Sequence, residues 1–252
     1  MPNITRTLPA ILIATAAFAG SAHAKEINMI FGLALPPYVI QESNSGFEVE
    51  IIRAALAAKG HTLKPTYASF LAAPKMLREK QADAAQRGSP DLKESDGFHY
   101  AGEPTVVYQD AAVSLKKNNL KIDSLADLQG KSIVSFQGAT QFLGPEFAAA
   151  VKGNANYQES SNERRKLQMF YANSAQVYTG DINIFKYYRD SVKGDVDIKQ
   201  EVVYHKVFPT TTDVTRNAVF LDKQIRDDFN AGLKQLKSSG QYQQIIRKYV
   251  SD

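Results

Sequence analysis

The stretch KSIVSFQGAT, residues 131–140, is a short apolar run that stops at a glycine. The alternation from Lys131 to Phe136 and its β-branched residues predict a strand. Gln137 to Thr140 predict a turn that leads into a helix, with Thr140 as its cap. A strand that runs into a helix N-terminus directs backbone N–H groups and the positive end of a dipole at one point. This turn therefore suits an anion such as a carboxylate, although most joints of this kind bind nothing.

An export signal is predicted over residues 1–24. Arg6 is followed by the apolar run LPAILIATAAFAG and then by Ala22-His23-Ala24, which has the small-x-small pattern of a cleavage site. The run is interrupted by small residues and is short for a membrane span, so a cleaved signal peptide is favoured over an anchor. The mature chain would begin at Lys25 and work in the periplasm.

The composition excludes several kinds of site and partner. No cysteine occurs in the chain, which excludes a disulfide framework, thiolate metal sites and a lipid-modified N-terminal cysteine. The formal charge of +4 becomes +3 without Arg6, and acids and bases are mixed throughout, so we predict no nucleic-acid partner. His61, His99 and His205 share no metal-ligand spacing, and we predict neither a metal nor a cofactor.

Strands and helices alternate along the mature chain. A strand from Glu26 to Leu35, a helix from Phe47 to Lys59 and a strand from Leu63 to Tyr67 form the start of an α/β unit. A long strand is predicted from Val106 to Leu115, and Ser124-Leu125-Ala126-Asp127 resembles a capping box. Near the C-terminus four apolar residues share one helical stripe: Ile225, Phe229, Leu233 and Leu236.

Several stretches, taken in order, resemble the periplasmic solute-binding proteins that serve polar amino acid ABC transporters. They span almost the whole mature chain: Leu35 to Tyr38 with Gly46 to Glu50, Phe70 with Leu77 and Ala82 to Ala84, Leu125 to Thr140, Gly180-Asp181, and Leu233 to Tyr249. The resemblance implies the α/β type II periplasmic-binding-protein fold, with two lobes joined by two hinge crossings and a ligand cleft between them. Residues 25–114 and 215–252 would form lobe 1, and residues 115–214 would form lobe 2.

The resemblance also implies a set of ligand contacts: Tyr38, Phe70, Gly138, Ala139, Thr140 and Asp181. The two aromatic side chains would contact the apolar part of the ligand, although most aromatic residues simply belong to a core. The turn at residues 137–140 would hold a carboxylate, and Asp181 would pair with an ammonium group. Tyr108 and Asp110, on the predicted long strand, are further candidates between which the sequence does not choose.

The chain departs from the family pattern at one position. The family usually has an arginine in the segment before Tyr100, but Leu92 to Ser95 contains none. Arg87 lies a few residues earlier, between a predicted strand and Gly88, and its planar fork suits a carboxylate. We expect Arg87 to take over this contact; the alternative is an exposed surface arginine.

These features predict a monomeric, non-catalytic binding protein. It would capture a small polar solute, an amino acid or a related compound, and deliver it to an inner-membrane ABC permease. An enzyme resembling periplasmic cyclohexadienyl dehydratases is the alternative by fold analogy, and it would need a general acid or base such as Glu50, Glu103 or Asp181. A solute sensor without transport is the third hypothesis, which the sequence does not separate from transport.

Overall fold

Two α/β lobes, each built on a five-stranded sheet, make up the part of the chain that the computed structural model describes, residues 24–209 and 214–250. This architecture confirms the predicted two-lobed α/β fold. The predicted signal peptide lies outside the described residues, except for Ala24. Among the described residues, no helix has the length and apolar character needed to cross a membrane.

The first sheet combines strands from both ends of the chain. Side by side, its strands are β2 (Thr62–Tyr67), β1 (Glu26–Phe31), β3 (Ala84–Ala85), β10 (Val219–Phe220) and β4 (His99–Tyr100). Strand β1 is parallel to β2 and β3, whereas β10 is antiparallel to β3 and β4. The first lobe is therefore complete only when the chain returns to it near its C-terminus.

The second sheet is formed by one continuous segment. Its strands, side by side, are β7 (Tyr157–Ser160), β6 (Ile133–Phe136), β8 (Val177–Asp181), β5 (Asp110–Leu115) and β9 (Val202–His205). Strand β6 is parallel to β7 and β8, and β5 is antiparallel to β8 and β9. The two sheets thus have the same arrangement of parallel and antiparallel strand pairs.

The first crossing between the lobes differs from the predicted one. Strand β5 pairs with β8 and β9 over its whole length, so the chain leaves the first lobe before Asp110 rather than after Ser114. The predicted strand from Val106 to Leu115 is also too long, because only its second half pairs with a sheet. The chain returns to the first lobe between His205 and Val219.

The helices cover the sheets. They are α1 (Phe47–Ala57), α2 (Ala73–Arg78), α3 (Ala139–Phe142), α4 (Pro145–Val151), α5 (Glu163–Tyr171), α6 (Ile182–Arg189), α7 (Lys223–Ser238) and α8 (Gln241–Arg247). The predicted stripe on α7 is confirmed, since all four of its apolar residues are buried. Helix α7 packs on α1, and Gly232 allows a close approach because a Cβ there would lie 2.0 Å from the carbonyl oxygen of Ala55.

Hydrophobic clusters lie on both faces of each sheet, because neighbouring residues of a strand point to opposite sides. In β10, Phe220 packs with α1 and α7, and Val219 packs on the side of α2. In β5, Val113 packs with α5 and α6, and Ala112 packs on the side of α4. The predicted capping box at Ser124 is confirmed and begins a short 3-10 helix next to that last cluster. Each lobe therefore has its own hydrophobic cores on the two sides of its sheet.

Candidate ligand-binding site

A cavity of about 290 Å³ lies between the two lobes. The first lobe contributes Leu35 and Arg87 to its wall, and the second lobe contributes the rings of Phe136, Phe142 and Tyr178. Its volume is near the lower end of the range for small-molecule sites. A cleft that is closed by groups from both lobes can hold a small molecule between them.

Two carboxylates meet in this wall, at the ends of β5 and β8. Asp110 and Asp181 are direct partners in the antiparallel ladder. Burial, together with the charge of Asp181, raises the pKa of Asp110 to about 6, against the opposing charge of Arg216. Within the described residues no group donates a hydrogen bond to the Asp110 side chain. This carboxylate therefore has acceptor positions to offer to a ligand.

Asp181 is already satisfied by the protein. Its Oδ1 accepts hydrogen bonds from the backbone N–H groups of Asn183 at 2.9 Å and Ile184 at 3.0 Å, which makes it the cap of α6. Its Oδ2 accepts from the Tyr38 hydroxyl and the Gln109 backbone N–H, both at 2.8 Å. Burial raises the pKa of Asp181, although these four bonds oppose the shift. An ionised carboxylate has about four acceptor positions, so this one has little left for an ammonium group.

Arg87 faces the cavity between two aromatic rings. Its Cζ lies 5.2 Å from the ring centroid of Phe70 and 5.8 Å from that of Tyr108. Contacts of this kind hold a guanidinium in place without using its N–H groups. In the described part of the chain, no hydrogen bond or salt bridge of the Arg87 guanidinium is found. Its planar fork can therefore bind the acid group of a ligand.

Glu48, at the start of α1, is the buried acid that interacts with Arg87. It is 3% exposed, and one of its carboxyl oxygens has no hydrogen-bond partner among the described residues. Burial raises its pKa to about 7, although hydrogen bonds with Gln86 and Tyr108 and the charge of Arg87 oppose the shift. The charge of Glu48, and with it the field at Arg87, therefore changes near neutral pH.

The turn that follows β6 holds an anion, and that anion is a side chain of the protein. Glu159, on β7, accepts hydrogen bonds from the backbone N–H groups of Gly138 at 2.7 Å and Thr140 at 3.3 Å, and from the Tyr157 hydroxyl at 2.7 Å. The Gln137 amide and the Thr140 hydroxyl also donate to it, each at 3.4 Å. Although burial acts to raise the pKa of Glu159, these bonds hold it below its ordinary value.

The capping role predicted for Thr140 is wrong. The residue that caps α3 is Gly138, whose φ of 85° lies in the left-handed region that favours glycine. Ala139, which is fully buried, opens the helix, and Thr140 lies inside it. The strand-turn-helix geometry was predicted correctly; the error was to place the glycine before the cap rather than at it.

The remaining predicted ligand contacts lie around the cavity rather than in its wall. Tyr38 is fully buried, stacks on Tyr108 with ring centroids 4.3 Å apart, and donates to Asp181. Phe70 is 44% exposed and contacts Arg87. Of the predicted set, Arg87 and Asp181 line the cavity. For all seven residues, direct contact with a ligand stays a prediction.

A buried ion pair in the second lobe was not predicted from the sequence. The Lys166 side chain is fully buried, and its Nζ lies 2.6 Å from Oε1 of Glu163. Burial lowers the pKa of Lys166, although the charge and hydrogen bond of Glu163 oppose the shift. Tyr178 donates to the second oxygen of Glu163 at 3.2 Å. Both charged groups line the cavity, and they satisfy each other.

Two of the three acids considered for catalysis lie outside the wall of the cavity. Glu50 accepts hydrogen bonds from Lys248 and Tyr249, and Glu103 pairs with Lys237 at 2.7 Å. Neither of them lines the cavity, and Asp181, which does, is used by four donors.

Comparisons with known proteins agree with this geometry. A family model described as "Bacterial extracellular solute-binding proteins, family 3" matches residues 27–252. The L-cystine solute receptor of Neisseria gonorrhoeae, in its unliganded open conformation, is 16% identical, with a TM-score of 0.64 over 91% of this chain and 94% of that chain. Substrate-binding domain 2 of Lactococcus lactis GlnP, also in an open conformation, is 19% identical, with a TM-score of 0.64 over 90% and 96%.

A third solved structure has the same fold. The substrate-binding protein of a polar amino acid ABC uptake transporter from Streptococcus thermophilus is 18% identical, with a TM-score of 0.67 over 89% of this chain and 86% of that chain. At such identities, the likeness to the solved structures establishes the fold of the chain.

Proposed function

The chain belongs to family 3 of the bacterial extracellular solute-binding proteins, and on this premise we propose that it captures a small polar solute, an amino acid or a related compound, in the periplasm. It hands the solute to an ABC permease in the inner membrane and catalyses no reaction. The names of the similar structures, which refer to receptors and substrate-binding proteins of amino acid transporters, support this proposal.

One observation carries the proposal: Arg87 lies in the wall of the cavity between the lobes, and its guanidinium has no hydrogen bond or salt bridge to any residue that the structure describes. Arg87 is half-buried in the cavity wall, and a guanidinium there gains a charge-assisted, bidentate contact when a carboxylate partner arrives. A solute anion supplies that partner. Binding then favours the closed arrangement of the lobes by the difference in ligand affinity between the two states.

The test is isothermal titration calorimetry on the mature chain, with a panel of the common amino acids, small organic acids with and without rings, and amines. We expect at least one acid to bind with a Kd in the micromolar range, about −8 kcal/mol. Arg87→Gln should weaken that ligand by roughly 10- to 100-fold, the value of a charged hydrogen-bonded contact. Arg78→Gln, an exposed arginine of the same lobe, is the charge-matched control and should change affinity by less than about 3-fold.

Two results would count against the proposal. If no compound in the panel produces heat or raises the melting temperature, the chain is not a binding protein for this solute class. If a solute binds but a strain without the gene takes it up at the normal rate, delivery to a permease is wrong and sensing replaces it.

A further inference from the structure

Most polar groups around the cavity are already satisfied inside the protein. Lys166 is paired with Glu163, and Asp181 accepts four hydrogen bonds. The turn at residues 137–140, which is built to hold a carboxylate, holds that of Glu159. A ligand that uses any of these groups has to displace a partner from it.

The side chains of Arg87 and Asp110 differ from these satisfied groups. Both line the cavity, and in the described part of the chain neither side chain has a hydrogen bond or a salt bridge. A guanidinium whose Cζ lies 5.2 and 5.8 Å from two ring centroids keeps its N–H groups for a carboxylate, which it can bind with two parallel donors. Asp110 can accept from a hydroxyl or ammonium group. Among the described residues of the cavity wall, Arg87 therefore offers an anion site in the first lobe and Asp110 offers an acceptor at the crossing.

The opposite wall of the cavity is aromatic. Phe136, Phe142 and Tyr178 line it from the second lobe, and the ring centroids of Phe136 and Phe142 are 6.3 Å apart. Phe142 is 73% exposed, although a ring of this size is normally buried. An apolar ligand surface placed against Phe136 and Phe142 would remove their exposed parts from water and gain about 25 cal/mol for each Å² that is covered.

We infer that the ligand is a small carboxylate that bears an aromatic or similarly bulky apolar ring, with its acid group on Arg87 and its ring against Phe136, Phe142 and Tyr178. The inference rests on the proposed function and specifies its ligand class. Glu159 keeps the 137–140 turn out of ligand binding, and a hydroxyl or ammonium group of the ligand, where there is one, meets Asp110.

A matched set of compounds tests the ring and the acid group of the ligand separately. By calorimetry, 3-phenylpropionate is compared with 3-phenylpropanamide, which lacks the acid, and with butyrate, which lacks the ring. We expect each of the two incomplete compounds to bind at least about 10-fold more weakly than 3-phenylpropionate. In Arg87→Gln the difference between the acid and its amide should disappear, whereas Arg78→Gln should keep it.

The role of Glu159 is tested by the Glu159→Gln variant. If Glu159 fills the turn permanently, the affinity for 3-phenylpropionate stays within about 3-fold of the unaltered chain. If the ligand acid instead displaces Glu159, the neutral amide is a weaker competitor for the N–H groups, and the affinity rises more than about 10-fold. A rise of that size would overturn the assignment of the acid group to Arg87.

A different result would contradict the inferred ligand class alone. If butyrate or L-glutamine binds as tightly as 3-phenylpropionate or more tightly, the ring is not recognised and the inference fails, although the chain remains a solute-binding protein. If no compound of this set or of the broader panel binds, it is the proposed function that fails. The two failures are thus distinguishable in one series of titrations.

Discussion

At Glu48, burial and charge act on the pKa in opposite directions, and burial has the larger effect. Its side chain is almost fully buried, which disfavours the ionised form, while the guanidinium of Arg87 favours it. The outcome is a pKa of about 7, compared with 4.5 for an ordinary glutamate. The folded protein therefore binds more protons than the unfolded chain between these two values. Because extra protons on the folded state stabilise it at low pH, stability should fall as the pH rises through this window.

We predict that Glu48→Gln removes this pH dependence. The amide stays neutral, so at pH 8 the variant should be more stable than the unaltered protein by roughly 3 kcal/mol, and at pH 4 the two should be similar. Urea unfolding at both values measures the difference. Glu94→Gln, at an exposed glutamate of the same lobe, is the control and should leave the pH dependence unchanged. Parallel pH profiles for the unaltered protein and Glu48→Gln would show that Glu48 does not titrate near neutrality.

At this scale the sequence predicts single residues with uneven success. Arg87 could be found because an arginine directly after a predicted strand is visible without a structure. Glu159 could not, since its role depends on β7 lying beside β6 in a register that pairs it with Ser135. An acid on a predicted strand carries no information about which neighbouring turn its side chain reaches. Asp181 was recognised as important, but its four hydrogen-bond donors come from three separate stretches of the chain.

Among the elements, α6 and α7 offer a natural comparison, because both begin at an aspartate. Asp181 accepts from the second and third backbone N–H groups of α6, and Asp222 does the same for α7, through Gln224 and Ile225. Asp222 is exposed and accepts two backbone hydrogen bonds, whereas Asp181 is buried and also accepts from Tyr38 and Gln109. Of these two caps, that of α6 is the one that connects the two lobes.

We predict that Asp181→Ala destabilises the protein much more than Asp222→Ala. Loss of an exposed aspartate cap costs about 1 kcal/mol. Loss of Asp181 adds the penalty of leaving the Tyr38 hydroxyl and the Gln109 N–H without their acceptor, for a total of about 3 kcal/mol. Urea unfolding at pH 7 compares the two variants. Equal costs would mean that the cross-lobe hydrogen bonds contribute nothing and that Asp181 acts only as a helix cap.

Tyr38→Phe isolates the cross-lobe contact from the cap. It removes the hydroxyl that donates to Asp181 and that accepts from the Asn183 side chain at 3.1 Å, while the ring and its stacking on Tyr108 remain. Most of the difference between the two aspartate variants should appear in this variant.

The predicted elements were most accurate where one face of an element packs on one core. The stripe on α7 is such a case, and its four apolar residues are all buried. The strand predicted from Val106 to Leu115 is too long for a physical reason. Val106 packs in the core of the first lobe, and Val113 packs in that of the second. A single apolar run thus crosses between two cores, and hydrophobicity alone does not show where it changes from one to the other.

The two lobes differ in how the chain supplies them. Every member of the two hydrophobic clusters of the second lobe lies between Ala111 and Phe208, in one continuous segment. The main cluster of the first lobe instead combines residues from Ile27 onward with α7 and α8. The alternation of strands and helices predicted the α/β class, and the family resemblance implied both the two lobes and this asymmetry. Only the first crossing was placed too late, by most of a strand.

We predict that residues 108–208 fold alone, because this segment contains both cores and the whole sheet of the second lobe. The fragment should show a cooperative thermal transition by circular dichroism and a dispersed amide NMR spectrum. Residues 25–107 should show neither, since α1 would lose α7, the helix that covers it.

As a control, Phe185→Ala removes a fully buried ring that packs on Phe170 and Tyr178, and it should cost the fragment about 3–5 kcal/mol. A fragment 108–208 without a cooperative transition would mean that the second lobe depends on the cross-lobe contacts at Tyr38 and Asp181 for its stability, and that the lobes fold as one unit.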